Sequence, residues 1–169
     1  MTARALLCSL LTAIFLIAGC AHKQGATGIN DAQNEAKTGF WAGRISLQIQ
    51  SEPVQAFFAG FELKGHSDSG ELTLISPLGS ILGIMRWTPV DATLEQGGNI
   101  RRFSSTDELL AQTTGAAIPI SALFDWLSGK NTPTPGWLAD LSQQANGRIT
   151  AQRTDPLPSA NLRIVLDKP

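Results

Sequence analysis

His66, Ser67 and Asp68 set an imidazole, a hydroxyl and a carboxylate side by side, the three groups from which a hydrolytic triad is assembled. Consecutive residues of one short turn cannot converge so that acid orients base and base meets nucleophile, so this spacing argues against acyl transfer. The same imidazole with Asp68 and Glu71 makes a loose, oxygen-rich set that lacks the His and Cys spacing of a zinc site, and a solvated hairpin turn accounts for it. Asp107 and Glu108 follow Ser105-Thr106 at the start of a helical pattern, where carboxylates are favoured by the helix dipole. Gly79 to Gly83 precedes a strand pattern rather than a helix, which excludes a phosphate-cradling loop. Arg101-Arg102 is a basic spot of two residues, too small for a nucleic-acid footprint. The expectation is a protein that is not an enzyme, needs no cofactor or metal and binds no nucleic acid.

The residue with the clearest chemistry is Cys20. Arg4 precedes an apolar run from Ala5 to Ala18 that stops at Gly19-Cys20, the layout of an export signal. The run is too short to span a bilayer, which takes about 20 apolar residues. Ile17-Ala18-Gly19-Cys20 resembles a bacterial lipobox, which implies cleavage before Cys20 and acylation of its thiol. Cys8 lies inside the signal, so no cysteine pair is left for a disulfide. Several acyl chains would hold the protein on a membrane, since two such signals already suffice. Ala21 stands where an Asp, in bacterial lipoproteins, tends to retain the protein at the inner membrane, so the resemblance points to the periplasmic face of the outer membrane.

Domain organisation follows from what can bury a core. Residues 1–19 read as signal peptide and residues 20–38 as an acylated tether. Ala21 to Lys37 is Gly, Ala, Asn, Gln and Lys with almost no large apolar residue, allowing at most a helical turn near Asn30 to Lys37. Residues 39–169 form a single domain, expected to be monomeric. The chain of 169 residues is 43% hydrophobic and 16% charged, with 13 Lys+Arg against 14 Asp+Glu. That charge content is below the roughly 25% of soluble domains, so unusually much apolar surface must be buried, covered by a ligand or turned toward a membrane.

Period-two alternation marks Ile45, Leu47 and Ile49 as a first strand, and Val54 to Leu63, apolar on both faces, as a second. Glu71 to Ile75 and Ile81 to Trp87 continue an antiparallel meander, joined by Ala92 to Glu95 and Asn99 to Phe103 around a Gly97-Gly98 turn. Ser105 with Glu108 offers a capping box for a helix running to Gly115, and a second helix opens near Ile118 and ends at Gly129. Asn131 to Gln144, with Pro133, Pro135 and Gly136, reads as a loop. Gly147 to Thr154 and Asn161 to Asp167 close the chain as strands. This is an α+β arrangement with helices on one face of an antiparallel sheet. Because several strands are apolar on both sides, each side of the sheet is expected to need a cover: the helix pair on one, and on the other a concavity for a greasy ligand, the alternative being a closed barrel filled with its own side chains.

Four stretches carry a family resemblance: Ser76-Pro77-Leu78-Gly79-Ser80, the run Thr114 to Ile120 with Leu123 and Trp126-Leu127-Ser128-Gly129, the opening Trp41-Ala42-Gly43-Arg44, and the closing Leu162 to Asp167. In this order behind a lipobox they resemble the LolB family of outer-membrane lipoproteins, over roughly Phe40 to Lys168. The resemblance implies an incomplete antiparallel β-barrel, a half-barrel, around a hydrophobic cavity with helices as a lid. It implies a function too: accepting lipoproteins from the periplasmic chaperone LolA by their acyl chains and inserting them into the inner leaflet of the outer membrane. Pro77, Leu78 and Gly79 would form the membrane-insertion loop. The acyl-chain lining would come from Phe57, Phe61, Leu72, Leu74, Met85, Leu123, Trp126 and Leu127, with Phe58 and Ile84 in the wider pool and the Phe57/Phe61 face preferred. The segment Arg153 to Ala160 is shorter than the family pattern, which implies fewer late strands and a more open cavity edge. A structural lipoprotein that uses its apolar face as a protein interface is the alternative from a different class.

Overall fold

The computed structural model describes residues 38–114 and 118–167. Cys20, the signal segment, the tether and the Gly115 to Ala117 part of the resemblance therefore lie outside the described residues.

Nine strands form one antiparallel sheet: β1 (Gly39–Ile49), β2 (Gln55–His66), β3 (Ser69–Ile75), β4 (Ile81–Thr88), β5 (Asp91–Gln96), β6 (Asn99–Phe103), β7 (Trp137–Asp140), β8 (Arg148–Arg153) and β9 (Ala160–Leu166). Their order across the sheet is β6-β5-β4-β3-β2-β1-β9-β8-β7, so the first six strands form a meander and the last three join it at β1. β6 and β7 are unpaired edges, which makes the sheet a barrel left open. Two helices, α1 (Thr106–Thr114) and α2 (Ile120–Leu127), belong to the chain between those edges.

The register explains the core. Leu47 stands opposite both Phe57 and Leu162, Phe61 opposite Leu74, and Leu72 opposite both Leu63 and Met85. Alternation sends these side chains to one face, and nearly all of them are buried. Gly43 sits opposite Leu166 where β9 pairs with β1, and a Cβ there would run into the Val165 carbonyl oxygen. Helix α2 spans this inner face by aromatic contacts. Phe124 packs edge-on against Trp41 of β1 at 5.5 Å and Trp87 of β4 at 6.2 Å, and Trp126 packs on Trp137 of β7 at 6.1 Å.

The outer face corrects the expectation of two covers. It carries Arg44, Gln48, Glu62, Lys64, Thr73 and a ladder in which Arg86 pairs with Glu71 at 2.8 Å and with Glu95 at 3.0 Å. Solvent is its cover, as is usual for antiparallel sheets. The helices and the apolar hollow share the inner face. The Asn131 to Gln144 region is corrected as well, because Trp137 to Asp140 forms β7, paired with Arg153 to Thr150 of β8. Its residues alternate inward and outward, but the strand is only four residues long and exists through its partner rather than its own pattern.

Candidate functional site

The hollow is a pocket of about 370 Å³ at one end of the inner face, lined by Leu47, Ile49, Gln55, Ala56, Phe57, Leu74 and Met85 from the sheet and by Gln112 and Thr113 from α1. Its size falls within the range of small-ligand sites. Its sheet walls are mostly apolar, and Phe57, 39% exposed, stands at its mouth. The lip on α1 is held from the helix start. Ser105 Oγ accepts from the Glu108 N–H at 3.1 Å, Ser104 N–H donates to the Glu108 carboxylate at 2.9 Å, and Gln112 Nε2 donates to that carboxylate at 3.0 Å. The capping pair expected from sequence thus forms, with the return bond made to Ser104 rather than Ser105. The hydrogen bonds from the Ser104 hydroxyl and then its N–H hold the Glu108 carboxyl below its ordinary pKa.

Of the residues singled out from sequence, Phe57, Leu74 and Met85 line this pocket, while Phe61 and Leu72 lie deeper on the same face. Leu123, Trp126 and Leu127 are buried beneath α2 and do not border the pocket. Phe58 and Ile84 alternate to the outer face, where Phe58 is 54% exposed. A second depression, about 690 Å³, lies between Gln143 and Arg148 with Leu166 and Asp167. Gln143, Gln144, Asn146, Arg148 and Asp167 border it, and it lies at the opposite end of the sheet from the Leu78 turn.

The Ser76 to Ser80 loop is a tight turn. Gly79 N–H donates to Ser76 O at 2.9 Å, Ser76 N–H to Ser80 O at 2.8 Å, and Ser80 N–H to Ser76 Oγ at 3.1 Å. Pro77 occupies the position whose φ it presets. Gly79 adopts φ +84°, which glycine takes without strain. Leu78 is left at the tip, 95% exposed. The turn joins the end of β3 to the start of β4, and the pocket opens among the end of β1, the start of β2 and the end of β3. In an antiparallel sheet those termini are one rim. Val54, Ile81 and Leu157 also expose their side chains on this rim, on three further positions around it. Val54 and Leu157 carry no periodic signal, each being a lone aliphatic residue in a loop, and Ile81 reads in the sequence as the ordinary opening of a strand.

The hairpin residues behave as the spacing requires. Ser67 Oγ donates to Asp68 Oδ1 at 3.3 Å and not to His66, whose Nδ1 accepts from the Asp68 N–H. Glu71 is engaged by Arg86. No group of three metal-binding side chains gathers among the described residues.

Residues 40–164 match the family described as "Outer membrane lipoprotein LolB". The chain belongs to the LolB family. Relatives named outer-membrane lipoprotein LolB include one from Cupriavidus metallidurans, 35% identical over 149 residues that cover 85% of this chain and 69% of the relative. One from Cupriavidus pinatubonensis is 33% identical, over 89% of this chain and 72% of the relative. One from Bordetella petrii is 28% identical over 92% of each chain. The LolB match takes in both helices and all nine strands except the first residue of β1 and the last two of β9, so the pocket and the Leu78 turn fall within it.

Proposed function

We propose that this protein is an outer-membrane lipoprotein that receives other lipoproteins from a LolA-type periplasmic chaperone and inserts them into the inner leaflet of the outer membrane. The observation that carries this reading is the shared rim: the pocket mouth and the exposed Leu78 turn lie together at one end of the sheet. A cargo acyl chain leaving the pocket would emerge beside a side chain already suited to hydrocarbon. Leu78 alone is worth about 1.5 to 3 kcal/mol of burial, too little to anchor the domain but enough to engage the lipid layer at the exit. Acylation of Cys20 supplies the anchor, and residues 20–38 supply the reach. Transfer runs without nucleotide hydrolysis, each step driven by higher affinity of the acyl chains for the next holder, since a binding step can shift an equilibrium only by differential affinity.

The deciding experiment mixes the protein, a chaperone loaded with a purified lipoprotein, and liposomes. Lipoprotein should float with the liposomes when this protein is present and stay with the chaperone when it is absent. Flotation that does not depend on this protein refutes the reading.

A further inference from the structure

Arg153 is the one charged side chain among the buried residues of the described domain, at 5% exposure on the inner face of β8. Its Nη2 donates to Pro158 O at 2.9 Å, and its guanidinium carbon lies 5.8 Å from the centre of the Trp137 ring. None of the ion pairs among the described residues includes it. Its Nε is enclosed with no partner, and so is the indole Nε1 of Trp126, whose ring lies 6.1 Å from that same Trp137 ring. Two buried N–H donors without acceptors therefore stand around one aromatic ring.

Buried polar groups are ordinarily hydrogen-bonded, and a buried charge needs compensation. Guanidinium and indole only donate, so whatever completes this cluster is an acceptor. Position narrows the choice further. Arg153 pairs with Ala160, and Ala160 pairs with Ile49, which lines the pocket. Two strand spacings, about 10 Å, separate Arg153 from the pocket wall on the same inner face. That distance is short enough for the polar end of a ligand whose hydrocarbon occupies the pocket to meet these donors once the side chains enclosing them shift.

We infer that Arg153 and Trp126 form a polar anchor for the ester carbonyl oxygen of an acyl ligand, fixing its head while the Leu47, Ile49, Leu74 and Met85 pocket takes the chain. This rests on the proposed acyl-binding function and assigns the end of the ligand that the apolar pocket leaves unspecified. The cluster makes the concavity selective for acyl groups over plain hydrocarbon.

The test uses the full chain carrying Cys20→Ala, an apolar fluorescent dye as reporter, and three competitors with the same ten-carbon chain: methyl decanoate, decanoate and the decyl methyl ether that lacks a carbonyl. The ester is expected to displace dye about ten-fold more tightly than the ether, the scale of one hydrogen bond to a charged group. Arg153→Gln should remove most of the ester's advantage over the ether and leave the ether unchanged. Trp126→Phe, which keeps a ring and removes the N–H, should weaken the ester alone by a smaller factor. Equal binding of ester and ether by the unsubstituted protein overturns the anchor, as does an equal loss of all three competitors in Arg153→Gln, which would make Arg153 a wall residue. Preference for the carboxylate without preference for the ester overturns the ester assignment in favour of an anion. If none of the three displaces dye, it is the acyl-binding function itself that fails.

Discussion

Leu74, near the end of β3, and Leu78, at the tip of the turn that follows, stand four residues apart and meet opposite surroundings: Leu74 lines the pocket from within, and Leu78 projects from the rim into solvent. The hydrogen bonds between Ser76, Gly79 and Ser80 hold the turn, so the exposure of Leu78 is built in rather than incidental. On the proposed function, holding and releasing an acyl chain would fall to neighbouring side chains with separate structural roles.

Leu78→Glu should therefore separate the two. The side chain touches too little of the core for its loss to matter, and surface changes of this kind usually stay within about 0.5 kcal/mol. Urea unfolding should be unchanged and cargo should still pass from chaperone to protein, while insertion into liposomes falls sharply because a carboxylate resists the lipid layer. Normal insertion by this variant would remove the turn from the mechanism.

Photo-crosslinking residues placed on β2 should read out which face meets cargo. Phe57 stands at the pocket mouth and its neighbour Phe58 alternates outward, so the two differ in direction while sharing backbone environment. Crosslinks to lipoprotein are expected from position 57, from position 61 when a chain penetrates deeper, and from 126 once α2 gives way. Position 58 should give none. Cargo crosslinked at 58 and not at 57 would put the binding surface on the convex side and favour the reading of this protein as a scaffold.

Much of this site was legible from alternation alone. Ile45, Leu47 and Ile49 define an inner face that register then extends to Phe57, Leu162 and Leu74, and Asn99–Phe103 falls where its Gly-Gly turn puts it. The misreadings share a physical cause. β7 is short and preceded by Pro133, Pro135 and Gly136, so its identity lies in pairing with β8. Apolar residues on both sides of β2 suggested a second covered face, whereas Phe58 is simply left exposed beside a polar surface. That the pocket borders α1 rather than α2 was also hidden, because helix packing depends on where the open sheet curves and no local period records it.

Acid should loosen α1 before the sheet. Glu108 accepts hydrogen bonds from the Ser104 hydroxyl and N–H, so its folded pKa lies below its unfolded value of about 4.3. A depressed pKa means this support is complete above the unfolded value and is lost as pH falls through the folded one. Amide protection in Thr106–Thr114, corrected for the intrinsic exchange rate at each pH, should fall over that acid range while β1 and β9 stay protected. Glu108→Gln should show the looser helix already at neutral pH and lose the acid dependence. An exchange profile that is the same in both proteins would mean that the Ser104 contacts do not hold the lip of the pocket.

The anchor should improve delivery without performing it. Pocket and Leu78 turn both belong to the folded domain, whereas residues 21–37 offer almost no large apolar side chain with which to dock on it. Acylation at Cys20 would raise the local concentration of the rim at one bilayer, an effect of tethering that adds no new contact. Cys20→Ala behind an ordinary cleavable signal should then give a periplasmic protein that still accepts lipoproteins from the chaperone and still inserts them into liposomes, at a rate now set by its free concentration. In cells its products should distribute over both membranes, because an untethered rim meets either one. Complete loss of liposome insertion would make the acyl group part of the transfer step itself, and faithful outer-membrane delivery by the untethered form would show that destination is chosen elsewhere than at Cys20.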